Sequence, residues 1–427
     1  VTGRLQACVD GYQAIGRLPS VVAGVLRRGV LVEVAGAGDV PGPDPADVQY
    51  RIGSITKTFV AVAVLQCVAD GLLALDDPIG AVVPGTGYAD ATVAGLLGHV
   101  SGMQSEPVGP WWERSPGVGL DDLLAANDGT GAVADPGEYF HYSNLGFALL
   151  GEAVARLRGQ SWWDVTRSRI LEPLGMGRTT YLPVGPSAQG FSVGHFAGTL
   201  TREPHQDTGA MAPAGQAWST VQDLAAWGRF LAQGDPRVLD LDVLREAYRP
   251  GQRDYGLGFR VVEAHGRRLV GHTGSMPGFL ASLFVDPATG DGSVLLTNAT
   301  TGLVTDAVPA RLLGDEPVEP AAPWTPTVRV PDALAGVPGV WFWGNTAFEL
   351  RWHDERLEVH SLALQNRQDV FEVRGDRVVG VAGYHRGETL HVVRRGDGSV
   401  SHLDCATFVY TRTPYDPDVE IPGGHPA

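Results

Sequence analysis

Three kinds of hydrophobic pattern follow one another along the chain. Residues 5–17, and later 54–70 (SITKTFVAVAVLQCVAD), place apolar side chains at helical spacing. The second run opens at a serine and stops at Gly71, which predicts a helix beginning at Ser54. Between these two, SVVAGVLRRGVLVEVAGAG holds two β-rich runs around Gly29 and predicts a hairpin. A helix-rich stretch with many Pro and Gly loops then continues to about residue 235. RLVGHTGS, FLASLFVD and SVLLTN follow, with PATGDG as the turn between the last two, and predict an antiparallel set. An apolar helix near 303–313 closes it. Hairpin, helical block and sheet in this order predict an α+β fold whose first and last strands share one sheet.

Residues 314–339 are Pro-rich and read as a semi-rigid linker. Beyond them VWFWG, AFELRWH, RLEVHSL, DVFEVRG, RVVGVAG, TLHVVRR and ATFVYTR are short β-runs separated by turn residues. Such spacing predicts a small sandwich or barrel. The chain therefore divides into 1–313, a linker 314–339, and a β-module with a C-terminal tail, 340–427.

Composition narrows the class. With 427 residues two domains are expected, and 44% hydrophobic and 19% charged residues are ordinary for a globular protein. A net charge of −16 argues against nucleic acid or an anionic membrane as partner. Three widely spaced cysteines (Cys8, Cys67, Cys405) imply no disulfide framework. The histidines show no H-E-x-x-H spacing and the cysteines no CxxC, so no metal or other cofactor is expected. No apolar run is long enough to span a bilayer, and the first residues lack a basic stretch followed by an apolar one. A cytoplasmic protein is expected, or a secreted one if the chain was trimmed ahead of Val1.

The charge inventory also points to a site. Of 32 Lys plus Arg, one is lysine, Lys57, and the other thirty-one are arginine. Coding bias alone would put arginine at 57 as well. Lysine differs in that burial can make it give up its proton. Ser54 lies three residues earlier, on the same helical face, where an amine could activate its hydroxyl. A serine cap followed by a surface lysine is the plain alternative. Two further elements shift the balance. Tyr142-Ser143-Asn144, in FHYSNLGFALLG, opens a predicted helix, where a Tyr can relay a proton and an Asn can orient Lys57. His272-Thr273-Gly274, in LVGHTGSMPGF, lies on a predicted strand. Gly274 would let a substrate backbone approach, and the N–H of Ser275 could join that of Ser54 as an oxyanion hole.

Together these elements resemble the serine β-lactamase and penicillin-binding-protein superfamily, on its class C β-lactamase, DD-peptidase and esterase side. SITK stands for S-x-x-K, YSN for Y-x-N, and HTG where β-lactamases usually have K-T-G. LLGHVSGM, PGEYFHYSN, LEPLGMGRTTY, APAGQAWSTVQDLAAW and YGLGF agree with it. The resemblance implies a β-lactamase/transpeptidase-like domain with Ser54 as acylated nucleophile and Lys57 with Tyr142 as the base system. It further implies Asn144 as orienter, the Ser54 and Ser275 N–H groups as oxyanion hole, and His272, with Thr273 and Gly274, beside the substrate carboxylate or the Tyr. Histidine at 272 removes a fixed cation, which points toward esterase, D-aminopeptidase and transacylase relatives. The added β-module is similar to the lipocalin-like domain of penicillin-binding-protein-type thioesterases, which macrocyclise peptides from a D-residue acyl donor. That layout implies a small peptide, ester or thioester substrate, with a carrier-protein-bound donor as one form. Water and an amine both remain open as acceptor, and a non-catalytic peptide-binding protein is the contrasting class. The module's aromatics (Trp341, Phe342, Trp343, Phe348, Trp352) exceed what one small core needs, so it is expected to shape the mouth of the cleft. Arg412, in FVYTRTP, is the candidate carboxylate contact there, against the simpler reading of an exposed structural Arg.

Overall fold

The computed structural model describes residues 2–319 and 321–415. The expected C-terminal tail after residue 415 lies outside the described residues. The chain forms two compact units, one running to Ser192 and resuming from Arg202 to Thr325, the other taking Val193–Thr201 and the described residues from Pro326 on.

The first unit is built on a six-stranded antiparallel sheet. Its strands are β1 (Ser20–Arg27), β2 (Val30–Gly38), β3 (Arg260–Ala264), β4 (Arg267–Met276), β5 (Phe279–Val285) and β6 (Gly292–Thr297), in the order β2-β1-β6-β5-β4-β3. β1 pairs with β6, so the first and last strands do meet at the centre of the sheet. Both faces are covered, and β1, β5 and β6 are buried at almost every position, which explains why they read as continuous apolar runs. Helices α1 (Thr2–Gly16) and α5 (Val308–Leu313) touch one another and one face, while α4 (Val221–Gln233) packs on the same strands from the other. β3 was not legible in the sequence; it carries Arg260 and Glu263 on a half-exposed edge, without an apolar run.

The helical block centres on α2 (Thr56–Ala69), whose residues Thr56–Cys67 are all buried. A helix apolar all round belongs in a core. It packs against α3 (Asn144–Arg158), capped by Ser143, whose hydroxyl accepts from the Gly146 N–H at 3.0 Å. The Pro-rich stretch is shared between the units. Trp324 exchanges hydrogen bonds with Gln13 of α1, whereas Leu334 and Val337 are buried in the core of the second unit.

The second unit is an eight-stranded antiparallel meander, β7 (Gly339–Trp343), β8 (Thr346–His353), β9 (Arg356–Ser361), β10 (Asn366–Arg374), β11 (Arg377–Gly383), β12 (Thr389–Arg394), β13 (Val400–Cys405) and β14 (Phe408–Tyr410). Phe342 and Thr411 exchange backbone hydrogen bonds at 2.8 and 2.9 Å, which nearly closes it into a lipocalin-like barrel. β13 is the strand missed in the sequence, because VSHLDC alternates weakly and carries His402 and Asp404. Trp341 and Trp352 fill this unit's own core, and half-exposed Trp343 stacks on Phe408 at 5.1 Å. Among the described residues no helix is long and apolar enough to cross a membrane.

Candidate active site

Ser54 does not open the α-helix itself. It sits in a 3₁₀ turn, Gly53–Ile55, that runs into α2 at Thr56 and leaves its side chain partly exposed. The turn lies directly on β4. Gly53 has φ +52°, and a Cβ there would come within 2.5 Å of the Ser275 nitrogen. A Cβ on Gly274 would come within 1.9 Å of the Ile52 carbonyl oxygen. Gly274 thus admits the nucleophile's own turn. Exposed Ser275 follows on the same strand, so the backbone around Ser54 and that around Ser275 are side by side. Gly274→Ala should cost about 1–3 kcal/mol and slow the chemistry about 100-fold, because it must push Ser54 out of place. Gly177→Ala, where a Cβ meets nothing within 4 Å, should do neither. Thermal unfolding and steady-state rates of the two variants check this.

Lys57 is fully buried on the first turn of α2. Its Nζ lies 3.0 Å from Ser54 Oγ, 2.6 Å from Asn144 Oδ1 and 2.6 Å from the Ala214 carbonyl oxygen. A neutral amine has two N–H groups, and the Asn144 and Ala214 oxygens can take both. Its lone pair is then left facing Ser54. Burial brings the Lys57 pKa down from 10.5 to about 7, against the opposing pull of Glu106 and Glu113. Arginine could neither lose the proton nor match this three-point geometry.

Tyr142 hydrogen-bonds Ser54, and its ring lies 5.0 Å from Lys57 Nζ. Burial raises its pKa well above the usual tyrosine value, so the phenol keeps its proton at neutral pH. The two groups have separated roles available, an amine that can accept a proton and a phenol that can pass one on. Asn144 continues the network outward. Its Nδ2 donates to Glu106 Oε1 at 2.6 Å, and Trp112 Nε1 donates to Glu106 Oε2 at 2.6 Å. Glu113, held by Trp111 Nε1 at 2.9 Å, has a pKa raised by burial and by Glu106. Two carboxylates therefore act on Lys57 through their charge, Glu106 from behind Asn144, and neither was singled out in the sequence.

His272 faces inward. It is 2% exposed, and its Nδ1 lies 2.6 Å from the Thr273 carbonyl oxygen while Nε2 lies 2.9 Å from the Tyr255 hydroxyl. The Tyr255 hydroxyl also meets His99 Nε2 at 3.2 Å, and His99 Nδ1 accepts from the Ser143 N–H at 3.1 Å. These contacts fix a directional chain in which His99 donates to Tyr255 and Tyr255 to His272. Burial pushes His272 down to about pKa 3, so it stays neutral and cannot replace the missing cation. Its ring centroid is 6.2 Å from that of Tyr142, which makes it a wall behind the phenol. His99 and Tyr255 lie in the phrases LLGHVSGM and YGLGF, and that was the only signal for them. Thr273 Oγ1 instead accepts from Arg260 Nη1 at 2.9 Å, and Arg260 is held in a two-point ion pair by Asp306. Arg412 belongs to the second unit, where it donates to the carbonyls of Val340, Gly336 and Val337 and stacks 3.8 Å over Trp341. Its guanidinium bridges the first and last strands of the barrel.

Comparison with known proteins places this geometry. The family model described as Beta-lactamase matches residues 5–316, and a domain of unknown function, DUF7586, matches residues 330–412. Penicillin-binding protein 4 of Amycolatopsis lactamdurans is 29% identical over 70% of this chain and 83% of its own length. Three other curated relatives are covered over 54–59% of their own length. A D-stereospecific amidohydrolase from Streptomyces sp. superposes with TM-score 0.63 and 27% identity, over 72% of this chain and 97% of that one. SurE superposes with TM-score 0.61 over 96% of this chain and 98% of its own, at 23% identity, and shares the two-unit fold. The chain therefore belongs to the Beta-lactamase family, the serine hydrolases of β-lactamase and penicillin-binding-protein type.

Proposed function

We propose that the protein is an acyl-transfer enzyme working through a covalent acyl-Ser54 intermediate, on peptide-like amide, ester or thioester donors with a D-residue at the acyl position. The observation that carries this is the 3.0 Å approach of Lys57 Nζ to Ser54 Oγ in a buried site that brings the lysine to about pKa 7. Ser54 Oγ attacks the donor carbonyl and its proton passes to Lys57 Nζ. The developing oxyanion is received by the Ser54 and Ser275 N–H groups. Tyr142 hands its proton to the leaving group as the carbonyl–leaving-group bond breaks, and the proton taken up by Lys57 refills it, so that both groups return to their starting state. Water or an amine then attacks acyl-Ser54, gives its proton to the same base system, and Ser54 Oγ leaves as the hydroxyl.

The D-residue preference is supported by the D-stereospecific amidohydrolase among the structural relatives. The carboxylates of Glu106 and Glu113 favour a cationic substrate group, which we assign to the α-ammonium of the donor. Arg260, neutralised by Asp306, does not restore the bare cation of a β-lactamase. The amine acceptor is the second reading, favoured by the two-unit layout. It makes the protein a stand-alone peptide-macrocyclising thioesterase fed by a carrier-bound donor, with the rim carboxylates drawing in the acceptor ammonium.

Glu113→Gln separates the two, since glutamine keeps an acceptor for Trp111 and loses the charge. D-aminoacyl amides with a free ammonium should show KM raised about 10-fold to 100-fold, the range of a charge-assisted hydrogen bond, while N-acetylated donors stay unchanged. If both donors are unaffected and the partition between aminolysis and hydrolysis falls instead, the cyclase reading holds. Equal turnover of D- and L-donors would remove the stereochemical assignment.

A further inference from the structure

The barrel carries a second cluster of chemically able side chains, which no part of the acyl-transfer chemistry uses. His385 lies in the turn between β11 and β12. Its backbone N–H donates to Asp369 Oδ1 at 2.8 Å, and its ring Nδ1 lies 3.1 Å from Asp369 Oδ2. Asp369 therefore occupies Nδ1 and leaves Nε2 as the nitrogen open to a ligand. That nitrogen is buried without a hydrogen-bond partner, in a residue only 3% exposed. An orphaned buried acceptor costs about 1–3 kcal/mol, so its retention asks for a reason.

Two further donors converge on the same place. A ring nitrogen of His385, a Glu388 carboxylate oxygen and Cys405 Sγ all lie within 4.8 Å of one another. Cys405 comes from the end of β13 and is fully buried, 4.0 Å from Glu388 Oε2. Glu388 is exposed, which leaves a route in from solvent. The backbone is shaped around the cluster. A Cβ on Gly383 (φ +93°) would strike Asp369 Oδ1 at 2.4 Å, and one on Gly380 would strike the His385 carbonyl at 2.1 Å. Glycines at both places let the strand close on the Asp–His pair. The rings of Phe408 and Tyr384 flank His385 at 4.9 and 5.1 Å, and wall off its faces.

We propose that His385 Nε2, Cys405 Sγ and the Glu388 carboxylate bind a divalent transition-metal ion, with zinc the best match, and that Asp369 orients the histidine from behind. One nitrogen, one sulfur and one oxygen suit zinc and exclude magnesium or calcium, which take oxygen donors. A carboxylate on the far nitrogen of a ligand histidine is the arrangement that fixes its tautomer and raises its basicity. Neutral imidazole, thiolate and carboxylate balance a dication. Three protein ligands leave a fourth position for water. Bond lengths to zinc bring donors to about 3.5 Å from one another, a closure of about 1 Å that the His385, Cys405 and Glu388 side chains would share. Sequence spacing hides the site because its ligands come from a turn and from a strand seventeen residues beyond it, brought together by barrel register.

The test uses the full chain, stripped with a chelator and titrated with Co²⁺ and with Zn²⁺. One Co²⁺ per chain should bind with a thiolate-to-cobalt charge-transfer band, and Zn²⁺ should displace it. Cys405→Ser should abolish the band, Cys67→Ala should keep it, and Asp369→Asn should weaken binding about 10-fold to 100-fold. Should a variant fail to fold, the unaltered protein decides the matter. X-ray absorption at the zinc edge of the unaltered, zinc-loaded chain must then show one sulfur beside nitrogen and oxygen ligands. Absence of the band, a band that survives Cys405→Ser, or a zinc ligand shell without sulfur overturns the proposal.

Discussion

Lys57→Arg should lose about 10²-fold to 10⁴-fold in turnover although the positive charge is kept, the range expected when a positioned base is removed. The argument rests on what lysine alone can do here. Burial lowers its pKa to about 7, so near neutrality a large fraction is the free amine, and two fixed acceptors leave its lone pair facing Ser54. Arginine stays protonated, and its planar fork cannot occupy a pocket shaped around one nitrogen. The sign of the pH dependence follows. Because the neutral amine is the active form, the unaltered enzyme should gain rate as pH rises through about 7 and lose it below. Steady-state rates of both proteins across that range check the claim. A Lys57→Arg variant with most of its activity would reduce Lys57 to an electrostatic part.

Ser54→Ala should be the most damaging single change, with turnover falling to whatever binding and the oxyanion hole supply alone. In triad hydrolases that residue of catalysis is about 10³-fold to 10⁴-fold over water. Nucleophile and base act as one unit, so Ser54→Ala combined with Lys57→Arg should be no worse than Ser54→Ala alone. A double variant slower than Ser54→Ala alone would mean that Lys57 serves a second reaction path.

Much of the site was legible because its members stand at local spacings. Ser54 and Lys57 stand three residues apart across the junction of a 3₁₀ turn and α2, and Tyr142 and Asn144 stand around the Ser143 cap, so each pair could be read from a few residues. What escaped reading depends on contacts between distant segments. His99, Tyr255 and His272 form their hydrogen-bonded chain only because the helical block packs on β4, and no local period announces it. Glu106 and Glu113 lie in a loop without regular structure, and Glu106 meets the site through Asn144. Gly274 is instructive in another way. Its residue type was read as room for a ligand, and nothing in the sequence showed that a Cβ there would also strike the Ile52 carbonyl. The fold shows the same division. Buried strands such as β1 and β6 stood out as apolar runs, while β3 and β13 carry charged and polar residues and were missed.

The central claim is the acyl bond at Ser54, and intact mass spectrometry tests it most directly. The protein is incubated with a fluorophosphonate and, separately, with an activated D-acyl ester or thioester, at several pH values. The account predicts one adduct per chain, mapped to Ser54, forming faster as pH rises through about 7 and absent from Ser54→Ala. An adduct that persists in Ser54→Ala, or that maps to Ser101 or Ser275, would contradict it.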